Sequence, residues 1–105
     1  MASAAPASGS AATGDHFLLP AVIEGDCTFL MAAIGAFGAS NNPAVLDCTR
    51  LTRIDYGCAA TLVEKLRALN QEKVQVDLRD LSHLVAELLR LLGGGDVARL
   101  FPHRY

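Results

Sequence analysis

Apolar positions along the chain fall into three helical stripes and several short strand-like runs. The strongest stripe is Leu81, Leu84, Val85, Leu88, Leu89 and Leu92, whose offsets of 3, 4, 7, 8 and 11 trace one helix face. Asp80 or Ser82 starts that helix and Gly93-Gly94-Gly95 ends it. Leu62, Val63, Leu66 and Leu69 predict a second helix from roughly Tyr56 to Gln71, with Glu64, Lys65 and Arg67 toward water. Leu30, Ile34 and Phe37 predict a third, from Phe29 to about Ala39, capped by Asp26 or Thr28. Asn41-Asn42-Pro43 stops it, because a residue before proline avoids helical angles and proline donates no amide.

The strand signals are shorter. Lys73 to Leu78 alternates with period two. Ala44 to Cys48 is a run with no polar alternation until its end, which suits a central strand covered on at least one face. His16 to Leu19 reads as a strand, Pro20 as an edge or bulge, and Ala21 to Glu24 as its resumption before Gly25-Asp26 turns the chain. Thr49 to Asp55 is a loop, and Asp96 to Leu100 forms a last short helix or strand. The order ββα-βα-βα needs crossover connections, hence an α/β fold with a partly parallel sheet.

At 105 residues the chain makes one domain. Residues 1–14, mostly Ala, Ser and Gly, cannot bury enough surface to offset their ordering entropy. They are expected to be a disordered tail before a domain at 15–105. The net charge is -2, and residues 1–42 hold three acids and no Lys or Arg, while 43–105 hold eight acids and nine bases. No basic stripe results, which argues against nucleic acid or an anionic membrane as partner. The apolar run Phe29 to Ala39 is too short to span a bilayer, and the N-terminus lacks a basic region and a Leu-rich segment. A cytoplasmic protein is expected. Cys27, Cys58 and the intervening Cys48 form no CxxC pair and are odd in number, so small buried thiols are expected rather than a disulfide framework.

Chemistry is sparse. His16, His83 and His103 lie on different elements, no HxxxH or paired-Cys spacing exists, and neither a metal nor a cofactor is expected. Gly93-Gly94-Gly95 follow a helix, so they cap it and do not cradle phosphate. Cys58, near a helix start, could serve a small thiol enzyme or ligand carrier together with Asp55, but it has no His nearby in sequence. Asp47 and Asp55 flank the loop at the strand end where open α/β sheets dock ligands and partners. Helix capping by Asp55 and loop bonding by Asp47 are the expected roles. Arg50 and Arg53 make the loop a mixed-charge recognition surface more than a catalytic pocket.

The stretch Ala44-Val45-Leu46-Asp47-Cys48-Thr49-Arg50-Leu51-Thr52-Arg53-Ile54-Asp55-Tyr56 resembles the signature of STAS domains, the family of anti-sigma-factor antagonists. In that family a hydrophobic strand ends in Asp, and a short loop leads to Ile-Asp followed by Ser or Thr at a helix start. Ile23-Glu24-Gly25-Asp26-Cys27-Thr28-Phe29 is similar to the segment opening the first STAS helix, and Val74 to Leu92 to the closing strand-helix unit. The resemblance covers about residues 16–101. It implies a mixed, partly parallel sheet of four or five strands with helices mainly on one face, and no catalysis. It also implies a protein partner, either an anti-sigma factor kinase or the ATPase subunit of a lipid-asymmetry ABC transporter. The partner-binding residues implied are Asp47, Thr49, Arg50, Thr52, Arg53, Asp55, Tyr56 and Gly57, on the loop and helix start. At the phosphoacceptor position the sequence has Tyr56, which a Ser/Thr kinase of the usual kind would not modify. Constitutive binding is therefore expected. A third reading is a weak homodimer through the apolar face of Phe29, Met31, Ile34 and Phe37.

Overall fold

Helix formation between Tyr56 and Gln71 follows directly from local sequence. Asp55 supplies the cap, and Cys58, Leu62, Leu66 and Leu69 recur on one buried stripe. The computed structural model describes Ala12–Thr13 and residues 16–103. Their order is β1 (Ala12–Thr13), β2 (His16–Leu18), β3 (Val22–Ile23), α1 (Thr28–Ser40), β4 (Ala44–Asp47), β5 (Arg53–Ile54) and α2 (Tyr56–Gln71). Then come β6 (Val76–Leu81), α3 (His83–Leu91), a 3-10 turn (Gly94–Asp96) and β7 (Arg99–Pro102). The expected tail lies outside the described residues except for Ala12–Thr13, which pairs antiparallel with β2.

The main sheet runs β1-β2-β4-β6-β7, parallel throughout except at the β1–β2 edge. Because β2, β4, β6 and β7 neighbour one another in chain order, every crossover steps the same way. Right-handed connections then put all three helices on one face. The helices pack in sequence, α1 on α2 and α2 on α3. Phe17, Leu46, Val76 and Leu78 join Ile34, Leu62, Leu66 and Leu89 in one buried cluster between sheet and helices. Phe37 closes the α1 end of this core, its ring 5.5 Å from that of Phe17.

The structure redraws four expected elements. Pro20 does not bulge one continuous strand: β2 stays in the main sheet, while β3 leaves to pair in parallel with β5 as a separate two-stranded sheet. The loop Thr49 to Asp55 thus contains a strand. The alternating run Lys73 to Leu78 starts its strand three residues late, at Val76, and extends to Leu81. Lys73 takes a φ of +68° inside a turn, and the Asn42 side chain bonds Lys73 O and Gln75 N at 3.0 and 3.1 Å. In α3 the buried residues are Val85, Ala86 and Leu89, whereas Leu84 is 83% exposed and Leu81 belongs to β6. The residues Gly93 to Gly95 do terminate α3, with Gly93 in the left-handed region at φ +91°. The last segment resolves into strand β7.

Opposite the helices, cross-strand rows align His16, Val45, Asp77 and Arg99, and then Leu18, Asp47, Arg79 and Phe101. Asp77 is only 2% exposed because Arg99 lies over it with two 2.8 Å hydrogen bonds, one to each carboxylate oxygen. The Arg79 guanidinium sits 4.4 Å above the Phe101 ring. The Arg99 hydrogen bonds hold the Asp77 carboxyl below its ordinary range, against the opposing effect of burial. A carboxyl with a depressed folded value contributes stability above its unfolded pKa, and the contribution is lost as pH falls through the folded value. Arg99→Ala is therefore expected to destabilise the fold most at neutral pH, with the gap to wild type narrowing below about pH 4. Urea denaturation of both proteins at the two pH values checks this.

Candidate docking edge

Two short strands set the site. β3 and β5 pair Val22 with Arg53 and Ile23 with Ile54, which carries the chain segments at Glu24–Gly25 and Asp55–Tyr56 to the same place. Thr52 reinforces the junction: its N–H and hydroxyl both donate to Ala21 O, at 2.8 and 3.1 Å. Arg53 donates to Glu24 Oε1 at 2.9 Å, but both side chains are more than half exposed, so this pair adds orientation more than stability.

Asp55 is the keystone of the junction. One carboxylate oxygen accepts the Cys58 N–H at 2.7 Å, capping α2, and the other accepts the Gly25 N–H at 3.0 Å. These two bonds hold its carboxyl below the ordinary carboxylate range. Gly25 meets the bond with φ +69°, a backbone geometry that residues with a Cβ rarely adopt. Both oxygens of Asp55 are thus engaged with backbone amides, which is a structural use and leaves no base poised over a pocket. Tyr56, the next residue, opens α2 and is 67% exposed, with Gly57 beside it also exposed.

Asp47 serves a second, separate cluster at the end of β4. It accepts hydrogen bonds from the Thr49 N–H at 2.9 Å and from the Thr49 hydroxyl, and the latter first, with the former, lowers its pKa. The Thr49 hydroxyl also reaches Asp80 Oδ2 at 3.5 Å. The expected roles of Asp55 as cap and Asp47 as loop anchor are those observed. Arg50 is exposed on the turn between the two clusters. The eight expected residues therefore form one continuous loop but two hydrogen-bonded groups, Asp47 and Thr49 in one, Thr52, Arg53 and Asp55 in the other.

Three features beyond the expected residues belong to the edge. Val22 is 41% exposed on β3, and Phe29 is 94% exposed in the first turn of α1, the helix that follows Gly25. The sequence signal for Phe29 is its place at the end of the Ile23–Phe29 segment; the apolar helix pattern groups it with the core candidates Met31, Ile34 and Phe37. Of the four residues of that apolar face, Met31 and Ile34 are buried and Phe37 is partly so, which leaves Phe29 alone outside. Neither Asp26 nor Thr28 caps α1 by its side chain: Cys27 is the N-cap, and Asp26 accepts the Thr28 N–H at 3.0 Å. The third feature is a histidine meeting at the same sheet end, where His83 Nε2 lies 3.3 Å from His103 O, although the two residues are far apart in sequence.

The family model described as "Mlab, STAS domain" matches residues 25–101, close to three quarters of the chain. The chain belongs to the STAS domain family. Neither the curated proteins nor the solved structures give a match. STAS domains are generally non-enzymatic interaction modules, and the sheet with helices on one face fits that family. The match includes the loop and helix start from Gly25 through Cys58, while β3, which pairs with β5, precedes it. Among the described residues no group of three or more His, Cys, Asp or Glu could hold a metal, and no helix is long and apolar enough to cross a membrane.

Proposed function

We propose that this STAS domain is a non-enzymatic module that regulates a partner protein, in the manner of anti-sigma-factor antagonists, by docking the edge formed by the Asp47–Gly57 loop and the start of α2. The observation that carries the reading is the exposed aromatic at the helix start: Tyr56 stands 67% exposed on a base fixed by both oxygens of Asp55. An amphipathic ring on a preorganised backbone loses little entropy on binding, which is why tyrosine is favoured at interface centres. Both Asp55 oxygens are bonded to backbone amides, which supports reading the junction as contact area.

The second reading is a STAS subunit that binds and regulates the ATPase of a lipid-transport ABC transporter. Tyr56 favours it, since a position without Ser or Thr is closed to the usual kinase switch and suits constitutive binding. Affinity capture from the native lysate, with mass spectrometry of partners and modification sites, separates the two. Recovery of a histidine-kinase-like anti-sigma factor supports the first, and of an ABC ATPase with the domain unmodified the second. Recovery of neither class, with the chain intact and folded, would overturn both.

A further inference from the structure

Helix α3 has two apolar sides and buries one. Val85, Ala86 and Leu89 are covered by the rest of the fold. Leu84 and Leu91 stand in solvent, with half-buried Leu88 between them. Offsets of 4 and 7 place these three leucines in one outward row about 10 Å long. The neighbouring helix α2 shows what a solvated side ordinarily carries: Glu64, Ala68 and Gln71 are exposed there. Leucines scattered singly over a surface need no explanation, but a row at helical spacing is the pattern of a helix seam.

The charges flanking the row select its occupant. Glu87 and Arg90 form an intrahelical ion pair at 3.0 Å, and both are exposed beside the leucines. About Leu88 the apolar pattern is nearly palindromic, with leucines four residues before and three after. The charge pattern reverses across the same point, acid one residue before and base two after. A two-fold axis that crosses two copies of α3 antiparallel near Leu88 therefore sets Leu84 against Leu91 of the second copy. The same axis sets Glu87 level with Arg90 of the second copy, so that each acid faces a base. A parallel pairing would set like charges level instead.

We propose that a second copy of the chain docks on this face, as an antiparallel two-fold dimer of α3 seamed by Leu84, Leu88 and Leu91. The seam lies on a different helix from the homodimer surface expected from sequence, of which Met31 and Ile34 are buried. It takes no residue from the Asp47–Gly57 loop, so it stands or falls apart from the docking edge. The row is short. One helix laid on one helix buries less than the ~800 Å² per partner of a standard interface, which sets the dimer in the weak class. Its dissociation constant is expected at roughly 10 to 1,000 µM. Because an isologous contact closes on itself, association stops at two copies.

Sedimentation equilibrium of the full chain, from about 10 µM to about 1 mM, tests the dimer without any other protein. The expected result is a weight-average mass that rises with concentration from one chain and levels at two. Leu84→Glu is expected to weaken association about tenfold or more, with circular dichroism showing the fold intact, because Leu84 lies outside the core. Arg90→Glu alone, which sets like charges level across the axis, is expected to weaken it by a similar factor. Glu87→Arg combined with Arg90→Glu is expected to restore it, a recovery that a merely sticky helix would not show. A mass that stays at one chain, grows past two without levelling, or is indifferent to Leu84→Glu would overturn the proposal. A chain that is monomeric throughout, and whose Leu84→Glu variant loses a captured partner, would give the face to that partner instead.

Discussion

Leu89→Ala is expected to destabilise the protein by about 3 kcal/mol, and Leu84→Ala, five residues earlier on the same helix, by no more than about 0.5 kcal/mol. Both leucines belong to the same apolar stripe in the sequence. Leu89 is completely buried in the cluster between α3 and the sheet, so its truncation removes transfer free energy and leaves a cavity. Leu84 is 83% exposed, and alanine there loses little burial and gains slightly in helix propensity. Parallel urea titrations check the contrast, and equal losses from the two variants would contradict the orientation of α3.

Tyr56→Asp is expected to weaken partner binding by about 2 kcal/mol, roughly 30-fold, without loss of the fold. The change removes an exposed aromatic anchor and sets a second carboxylate beside Asp55 at the contact edge. It should be harmless to α2 itself, because an acidic side chain in the first turn complements the helix dipole. Tyr56→Phe keeps the ring and is expected to bind close to wild type. Isothermal titration with the captured partner measures all three proteins, with circular dichroism as the check on folding. Undiminished binding by Tyr56→Asp would remove this edge from the interface.

The two predictions mark where the sequence was legible. α2 was readable to the residue because its cap, its stripe and its end all lie within its own span or next to it. The fold class was readable because alternating strands and helices admit few topologies. β6 was not, since its start is fixed by Asn42, more than thirty residues away, and the burial of Asp77 depends on Arg99. Periodicity treats Leu84 and Leu89 alike, because it registers a helix face but not how much of that face the sheet covers. At the candidate edge, the structural roles of Asp47 and Asp55 followed from their positions at a strand end and a helix start. The separation of β3 from β2 did not, nor did the exposure of Val22 on β3, since a proline break in sequence does not say which strand the chain joins next.

The Asp77–Arg99 pair also has a bearing on how the chain folds as it is made. β6 sits between β4 and β7, yet its buried carboxylate receives its cation from a residue 22 positions later. Until Arg99 has emerged, docking β6 against β4 leaves Asp77 on the open face of the sheet without the guanidinium that covers it. No pair of neighbouring parallel strands is joined by a hairpin, so every such pairing must wait for a helix-length segment to be synthesised and to close. A growing chain that ends between Leu81 and Arg99 therefore has α2 complete while β6 still lacks one neighbour, and the last strand to appear is the one that sets a cation over Asp77.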